Sequence, residues 1–224
     1  MELDSEEVRV AGCLVEKQLT TPQQYPLTLN ALIAACNQSS NRWPVTDYDE
    51  HTVQSALDRL KAKGLVRFVY PSHGRSVTRY KHVLDEALEL EPPQLALLAA
   101  LMLRGPQTPG ELRARTERMA VFSDVAELEH HLEQLAVSGE PLVARLPREP
   151  GRRESRYTHR LGAGAEEAEP ATGVEREWEP AAAPEPRPSD EAQSLDVKDE
   201  ILALRNEVAA LGRALDHILA RLNR

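Results

Sequence analysis

The chain has 224 residues, and its 36 acidic side chains against 27 Lys and Arg give a formal net charge of −9 at pH 7. This net charge excludes a nucleic-acid-binding protein whose whole surface is basic, but it allows a local basic patch. No run of about 18 apolar residues is present, so no transmembrane helix and no membrane partner are expected. The acidic first ten residues are unlike a signal peptide. With only two cysteines, Cys13 and Cys36, a reducing cytoplasm is the simplest location.

The charge is unevenly distributed along the chain. Residues 1–85 carry 10 basic and 10 acidic side chains, residues 86–162 carry 10 and 12, and residues 163–224 carry 7 and 14. Most of the acidity therefore lies near the C-terminus. Residues 59–82 hold seven basic side chains and no acidic one, which makes this stretch the most basic in the chain.

Residues 1–85 predict three helices followed by two strands. Helices are expected over residues 5–18 and 28–36 from the spacing of their apolar positions. Asp49 is placed as the N-cap of a third helix, and Gly64 is placed just beyond its end. The two strands are expected over residues 65–70 and 77–84, joined by a loop that contains Arg75.

The same order recurs in residues 86–162. The sequence RYKH at 79–82 is echoed by RYTH at 156–159, 77 residues later. Three helices followed by a hairpin are the order of a winged helix-turn-helix domain, so the sequence predicts an α+β, mainly α protein with two such domains in tandem, at 1–85 and 86–162. The second copy is expected to have helices at 94–103, after Thr108 and after Ser123 or Asp124, and strands at 142–146 and 155–161.

The last 62 residues differ in composition from the rest. Residues 163–194 are rich in Ala, Glu and Pro without apolar periodicity, which is typical of a disordered linker. Over residues 195–224 apolar side chains alternate in steps of four and three, a heptad repeat that predicts a coiled-coil helix and favours a homodimer through residues 197–222. The alternative is an amphipathic helix folded back on its own domains. The expected oligomerisation positions include Ile201, Leu204, Val208, Leu211, Leu215 and Ile218.

Residues 5–161 resemble the YceH-like family of bacterial proteins. The resemblance is carried by long strings: AGCLVEKQLTTPQQYPLTLNALIAACNQSSNR, LRGPQTPGELRARTERM, FSDVAELEHHLEQLA and LPREPGRRESRYTH. It implies a tandem winged-helix architecture, in agreement with the pattern of the elements. It implies no activity and supplies no catalytic residues.

The sequence lacks the common motifs of catalysis and cofactor binding. It has no GxSxG, P-loop, GxGxxG or HExxH motif, so we expect a non-enzymatic protein without a cofactor. His130 and His131 are adjacent on a predicted helix and point about 100° apart, which does not suit a shared metal ion. Cys13 and Cys36 fall in predicted packing helices and are expected to be buried structural thiols.

Double-stranded DNA is the partner that this fold class suggests. In winged-helix domains the third helix enters the major groove, and the hairpin reaches a flanking groove or the phosphates. Asp49, Glu50 and Asp58 argue against this, because carboxylates on or before the third helix repel phosphate. The candidate nucleic-acid contacts are Gln54, Ser55, Arg59, Lys61, Lys63, Arg67, Arg75, Arg79 and Lys81 in the first domain, with Arg152 and Arg153 in the second.

A second hypothesis is a protein–protein interaction scaffold whose winged-helix faces dock a protein partner. It is favoured by the third helix of the second domain, which carries four acidic residues and no Lys or Arg. The phosphates that line a DNA groove would repel such an acidic helix. The six polar residues 37–42 are assigned to local hydrogen bonds that hold the connection to the third helix, rather than to nucleic acid.

Overall fold

Each half of the described chain contains three helices followed by an antiparallel pair of strands. The computed structural model describes residues 1–70, 77–137, 139–148, 151 and 154–162. These residues lie in the first of two compact units, Met1–Ala171. The second unit, Thr172–Arg224, lies outside the described residues, as do the predicted linker and coiled-coil helix.

In the first half, local capping signals set where the helices begin. Asp4 and Glu7 form a capping box at the first helix, and the side chains of Thr28 and Asp49 accept backbone N–H groups at the next two. Gly64 lies just past the third helix with a φ of 75°, as predicted. The elements are α1 (Ser5–Thr20), β1 (Leu27–Thr28), α2 (Leu29–Cys36), α3 (Glu50–Ala62), β2 (Val66–Val69), β3 (Arg79–His82) and α4 (Leu84–Leu88).

The sheet of the first half differs from the expected hairpin in two ways. β1 was not predicted, and it pairs with β3 through Leu27 and Tyr80, so the sheet has the order β1-β3-β2. The strand predicted over residues 77–84 ends at His82, because Leu84 begins the short helix α4. The three-stranded sheet therefore ties the start of α2 to the hairpin.

The second half repeats this arrangement. Gln107 forms an isolated bridge with Tyr157 that matches the pairing of Leu27 with Tyr80. The backbone N–H of Glu127 donates to Asp124 Oδ1 at 2.8 Å, so Asp124 provides the predicted cap. The elements are α5 (Pro92–Arg104), α6 (Pro109–Thr116), α7 (Val125–Val137), β4 (Val143–Arg145) and β5 (Tyr157–His159). The architecture is thus mainly helical with small antiparallel sheets, which confirms the predicted α+β, mainly α class.

The two halves share one hydrophobic core through α1 and α5. Gly12 allows this close approach, because a Cβ at that position would lie 3.0 Å from Leu103 Cγ. The backbone N–H of Trp43 also donates to Leu103 O at 2.8 Å, and that of Leu3 donates to Leu161 O. The core is largely aliphatic, and each fully buried Leu contributes about 1.5–3 kcal/mol. Within the described part of the chain, no helix has both the length and the apolar character to cross a bilayer.

Each hairpin places a histidine of the repeated RYxH sequence against the core. His82 is buried and accepts the backbone N–H of Leu84 at Nδ1, and His159 is half-buried. Burial lowers the pKa of both side chains from 6.5 to about 4. The folded protein therefore holds both imidazoles neutral at pH values where the unfolded chain protonates them.

This difference predicts acid sensitivity of the fold. Between pH 6.5 and pH 4 only the unfolded chain binds the proton at His82, so the free energy of unfolding falls by about 1.4 kcal/mol per pH unit as the pH drops. In His82→Asn, whose amide oxygen can replace Nδ1 as acceptor, we expect a shallower slope. Urea titrations at several pH values measure both slopes, and equal slopes for the two proteins would refute the assignment.

Candidate nucleic-acid interface

The outward side of the first sheet gathers three predicted contact residues. β2 and β3 pair so that Arg67 lies opposite Lys81, while Val69 lies opposite Arg79. We call Arg67, Arg79 and Lys81 the basic sheet face. Arg67 forms an exposed ion pair with Glu86 at 2.7 Å, and Arg79 donates to the carbonyl of Pro26 at 2.9 Å. The sheet register thus brings together three cations that are separated along the chain.

Lys61 approaches this hairpin from the end of α3. Its ammonium lies 4.3 Å from the centroid of the Phe68 ring and 5.8 Å from that of Tyr70. Tyr70 is 64% exposed, and its hydroxyl is 3.4 Å from Lys61 Nζ. These contacts hold a cation and an exposed aromatic ring side by side. Tyr70 was not among the predicted site residues, because its proximity to Lys61 depends on how the hairpin packs against α3.

Two other predicted cations are engaged within the fold. Arg59 forms ion pairs with Asp4 at 3.0 Å and with Glu6 at 2.7 Å, both in or beside the first turn of α1. Lys63 pairs with the buried carboxylate of Glu7 at 2.7 Å. These bonds join the end of α3 to the beginning of α1, so both side chains have a structural role there. Their contact with nucleic acid stays a prediction.

The polar residues expected to face base edges lie partly within the protein. Gln54 donates to Asp58 at 3.3 Å and accepts the hydroxyl of Tyr80 at 3.0 Å, which bridges α3 to β3. Burial raises the pKa of that hydroxyl, so it remains a donor. Ser55 is half-buried on the same helix. The remaining predicted contacts, Arg75, Arg152 and Arg153, lie outside the described residues.

A buried arginine organises the connection between α2 and α3. Arg42 donates to Glu16 through both terminal nitrogens, at 2.6 and 3.1 Å, and its Nε donates to Ala35 O at 3.0 Å. The carbonyl of Asn41 and the amide oxygen of Gln38 accept its remaining two N–H groups. Burial opposes ionisation of Glu16, but the hydrogen bonds and charge of Arg42 dominate and lower the pKa of the carboxyl.

Asn37 completes this connection. Its side chain donates to the carbonyl of Tyr48 and accepts the backbone N–H of the same residue, both at 2.8 Å. For Asn37, Gln38 and Arg42, the polar stretch over residues 37–42 therefore has the predicted structural role, and it fixes the approach to α3. Cys13 and Cys36 are both buried free thiols nearby, as expected.

The second half lacks a matching basic helix. The acidic residues at the beginning of α7 serve its capping: Asp124 accepts from Glu127, whose carboxylate accepts the Ser123 hydroxyl at 2.6 Å. Hydrogen bonds from Ser123 lower the pKa of Glu127. Farther along α7, Glu129 and Glu133 follow, with no Lys or Arg on the helix. Among the described residues no cluster of His, Cys, Asp and Glu has the geometry of a metal site.

Comparison with known proteins places this helical chain, with its small sheets and exposed basic face, in a bacterial family. The family model described as "Protein of unknown function, DUF480" matches residues 3–152. A UPF0502 protein of Geobacter metallireducens is 57% identical over 167 residues, covering 75% of each chain. A UPF0502 protein of Pelobacter propionicus is 46% identical, over 96% of each chain. One of Citrobacter koseri is also 46% identical, over 99% of this chain and 98% of the relative. The chain belongs to the DUF480 family, which confirms the YceH-like resemblance.

Arg42 and Glu16 form a buried ion pair, so removal of one partner is expected to destabilise the fold strongly. Arg42→Met leaves the Glu16 carboxylate without its main partner, and we expect the free energy of unfolding to fall by about 3–5 kcal/mol. Lys17→Met, which removes a cation 3.5 Å from the same carboxylate, is the control and is expected to cost at most about 1 kcal/mol. Urea unfolding measures both, and a small loss for Arg42→Met would contradict the structural role.

Proposed function

We propose that this is a non-enzymatic, DNA-associated protein built from two tandem winged-helix domains. The order of three helices and a hairpin in both halves supports this architecture. Because a fold does not by itself specify a function, the proposal rests on the chemistry of the basic sheet face. In this proposal Arg67, Arg79 and Lys81 contact phosphates of a duplex, together with Lys61 from the other face of the hairpin.

The main support for this function is a pair of like charges that face each other across the first hairpin. Arg67 lies directly opposite Lys81, an arrangement that destabilises a sheet. In the second hairpin, the same register sets Ala144 opposite Thr158, which is buried, so this pair carries no charge there. The ion pair of Arg67 with Glu86 is exposed on both sides and stabilises by at most about 1 kcal/mol. A phosphate can therefore replace Glu86 at little cost.

An exposed aromatic ring on the other face of the same hairpin also supports this function. Tyr70 and Lys61 stand together at the end of the hairpin. Basic residues supply affinity through phosphates, and such contacts carry no sequence information. We therefore propose that the protein binds duplex DNA of any sequence and that this binding depends strongly on salt concentration.

A binding titration tests the basic sheet face. We expect Lys81→Gln to weaken binding of the full-length protein to a random-sequence duplex and to lower the salt slope by about 1. Since the substitution also removes a like-charge contact, the free energy of unfolding is expected to stay equal or rise. Arg118→Gln, an exposed residue of the second half, is the matched control. No affinity for duplex DNA at low salt, or equal effects of the two variants, would exclude this function.

A protein-docking function is the second candidate, and α7 favours it. Val121 and Val137, before and at the end of this acidic helix, are 88% and 81% exposed. A surface cavity of about 440 Å³, lined in part by Arg113, Glu117 and Phe122, lies at the α6–α7 connection. Nuclease-resistant binding of one stoichiometric protein partner, in a protein without affinity for DNA, would favour this function over the first.

We also propose that residues 197–222 pair two copies of the chain as a coiled coil. The heptad pattern supports it, and joining two weak DNA-binding units raises their effective concentration on one duplex. Association through the tail also explains why an acidic chain needs only a small basic surface in each copy.

Light scattering on the full-length and truncated proteins tests this pairing. The full-length protein is expected to have twice the 24.9 kDa mass of one chain, and truncation after Ser194 is expected to leave folded monomers. Leu211→Lys, at a d position, is expected to dissociate the dimer, whereas Ala210→Lys, off the seam, is not. A full-length protein that is monomeric at high concentration would disprove the coiled coil.

A further inference from the structure

The two faces of the first hairpin carry different kinds of side chain. Residues that face each other across the strand pair lie on the same face, and successive residues alternate. Arg67 and Lys81 therefore lie on one face, whereas Phe68 and Tyr80 lie on the other. Tyr70, two residues beyond Phe68, continues this second face, and the centroids of the two rings are 6.4 Å apart. We call the rings of Tyr80, Phe68 and Tyr70 the aromatic row.

The aromatic row leads from the core to the surface. Tyr80 is buried, Phe68 is half-buried, and Tyr70 is 64% exposed. The rings of Tyr80 and Phe68 meet edge to face, with centroids 4.8 Å apart and an angle of 85° between the planes. The Tyr80 hydroxyl donates to Gln54 at 3.0 Å, which fixes the innermost ring against α3. Packed neighbours thus support the outermost ring, while most of its own surface faces solvent.

Lys61 places a cation beside this exposed ring. Its ammonium lies 4.3 Å from the centroid of Phe68 and 3.4 Å from the hydroxyl of Tyr70. No ion pair of Lys61 is found in the part of the chain that the structure describes. A positive charge next to a flat aromatic surface is the combination that proteins use to bind single-stranded nucleic acid, where the cation meets the phosphate and the ring stacks on the base.

A carboxylate on α3 favours an unpaired nucleotide over a duplex on this face. Gln54 donates to Asp58 at 3.3 Å and accepts the hydroxyl of Tyr80, so Asp58 lies close to the inner end of the aromatic row. Burial, and then the charge of Asp58, raises the pKa of that hydroxyl. A negative charge there repels the two phosphate-lined strands of a duplex. It does not oppose a neutral base that stacks at the outer end of the row.

We propose that Tyr70 stacks on an unpaired nucleobase while Lys61 binds a phosphate of the same strand. This inference rests on the proposed function, because the basic sheet face holds the adjoining duplex on the opposite face of the hairpin. The protein then prefers a duplex end with a single-stranded overhang to a blunt duplex. Every base has a flat face, so this preference does not depend on the sequence of the overhang.

Fluorescence anisotropy with the full-length protein at low salt tests the preference. Three labelled DNAs are compared: a blunt duplex, the same duplex with a short thymine overhang, and the same duplex with an abasic overhang of equal length, in both strand polarities. The abasic overhang supplies the additional phosphates without bases. We expect the thymine overhang to bind about tenfold more tightly than the abasic overhang in at least one polarity, because only the thymines can stack on Tyr70.

Variants assign this gain to the ring. In Tyr70→Leu, which keeps an apolar side chain but removes the aromatic surface, the ratio of the two affinities is expected to fall close to one. Tyr70→Phe is expected to retain the ratio. Trp43→Leu removes another exposed ring, which is 50% exposed and packs against Gly105, and is the control expected to leave the ratio unchanged.

The outcomes separate this inference from the proposed function. Equal binding of the thymine and abasic overhangs by the wild type, in both polarities, would overturn the inference and leave duplex binding intact, and this comparison needs no variant. A gain that persists in Tyr70→Leu would also overturn it. Binding of the thymine overhang without any binding of the blunt duplex would contradict the proposed function but support stacking on Tyr70. Absence of binding to all three DNAs would overturn both.

Discussion

The close packing of α1 against α5 is the constraint on which the other features depend. Gly12 makes it possible, since any larger side chain there meets Leu103 and Met102. α1 is 16 residues long, about 24 Å, and it makes contacts along its whole length. Its beginning contacts Arg59 of α3 and Lys63 just after that helix, its middle contacts α5, and its end supplies Glu16 to Arg42. One helix therefore fixes α3, the second half and the α2–α3 connection at once.

Two groups can be distinguished among the basic residues that the structure describes. Arg42, Arg59 and Lys63 are paired with acidic groups of α1 and hold the fold together. Arg67 forms only an exposed ion pair, and no ion pair of Arg79 or Lys81 is found among the described residues. The seven basic residues over 59–82 consequently overstate the free positive charge of the first half. An ion pair such as Arg59 with Glu6 joins residues 53 positions apart, and composition alone does not show it.

The sequence predicted those parts of the fold that depend on local signals. The caps at Asp49 and Thr108 and the apolar spacing of α3 and α7 act within one or two helical turns, and the structure confirms them. β1 was missed because a two-residue strand has no pattern of its own, and its pairing is set by where the hairpin packs.

The two hairpins share a register but differ in charge and in burial. Phe68 faces Tyr80 in the first hairpin where Arg145 faces Tyr157 in the second, while Val66 and Val143 both face the histidine of the RYxH sequence. Both hairpins keep a buried tyrosine, while the histidine is buried in the first and half-buried in the second. The pair between them differs in its surroundings, because Arg67 is exposed and Lys81 half-buried, whereas Thr158 is buried. Since α1 and α5 join both halves in one core, any ligand held by the first hairpin is presented at a fixed position relative to the second.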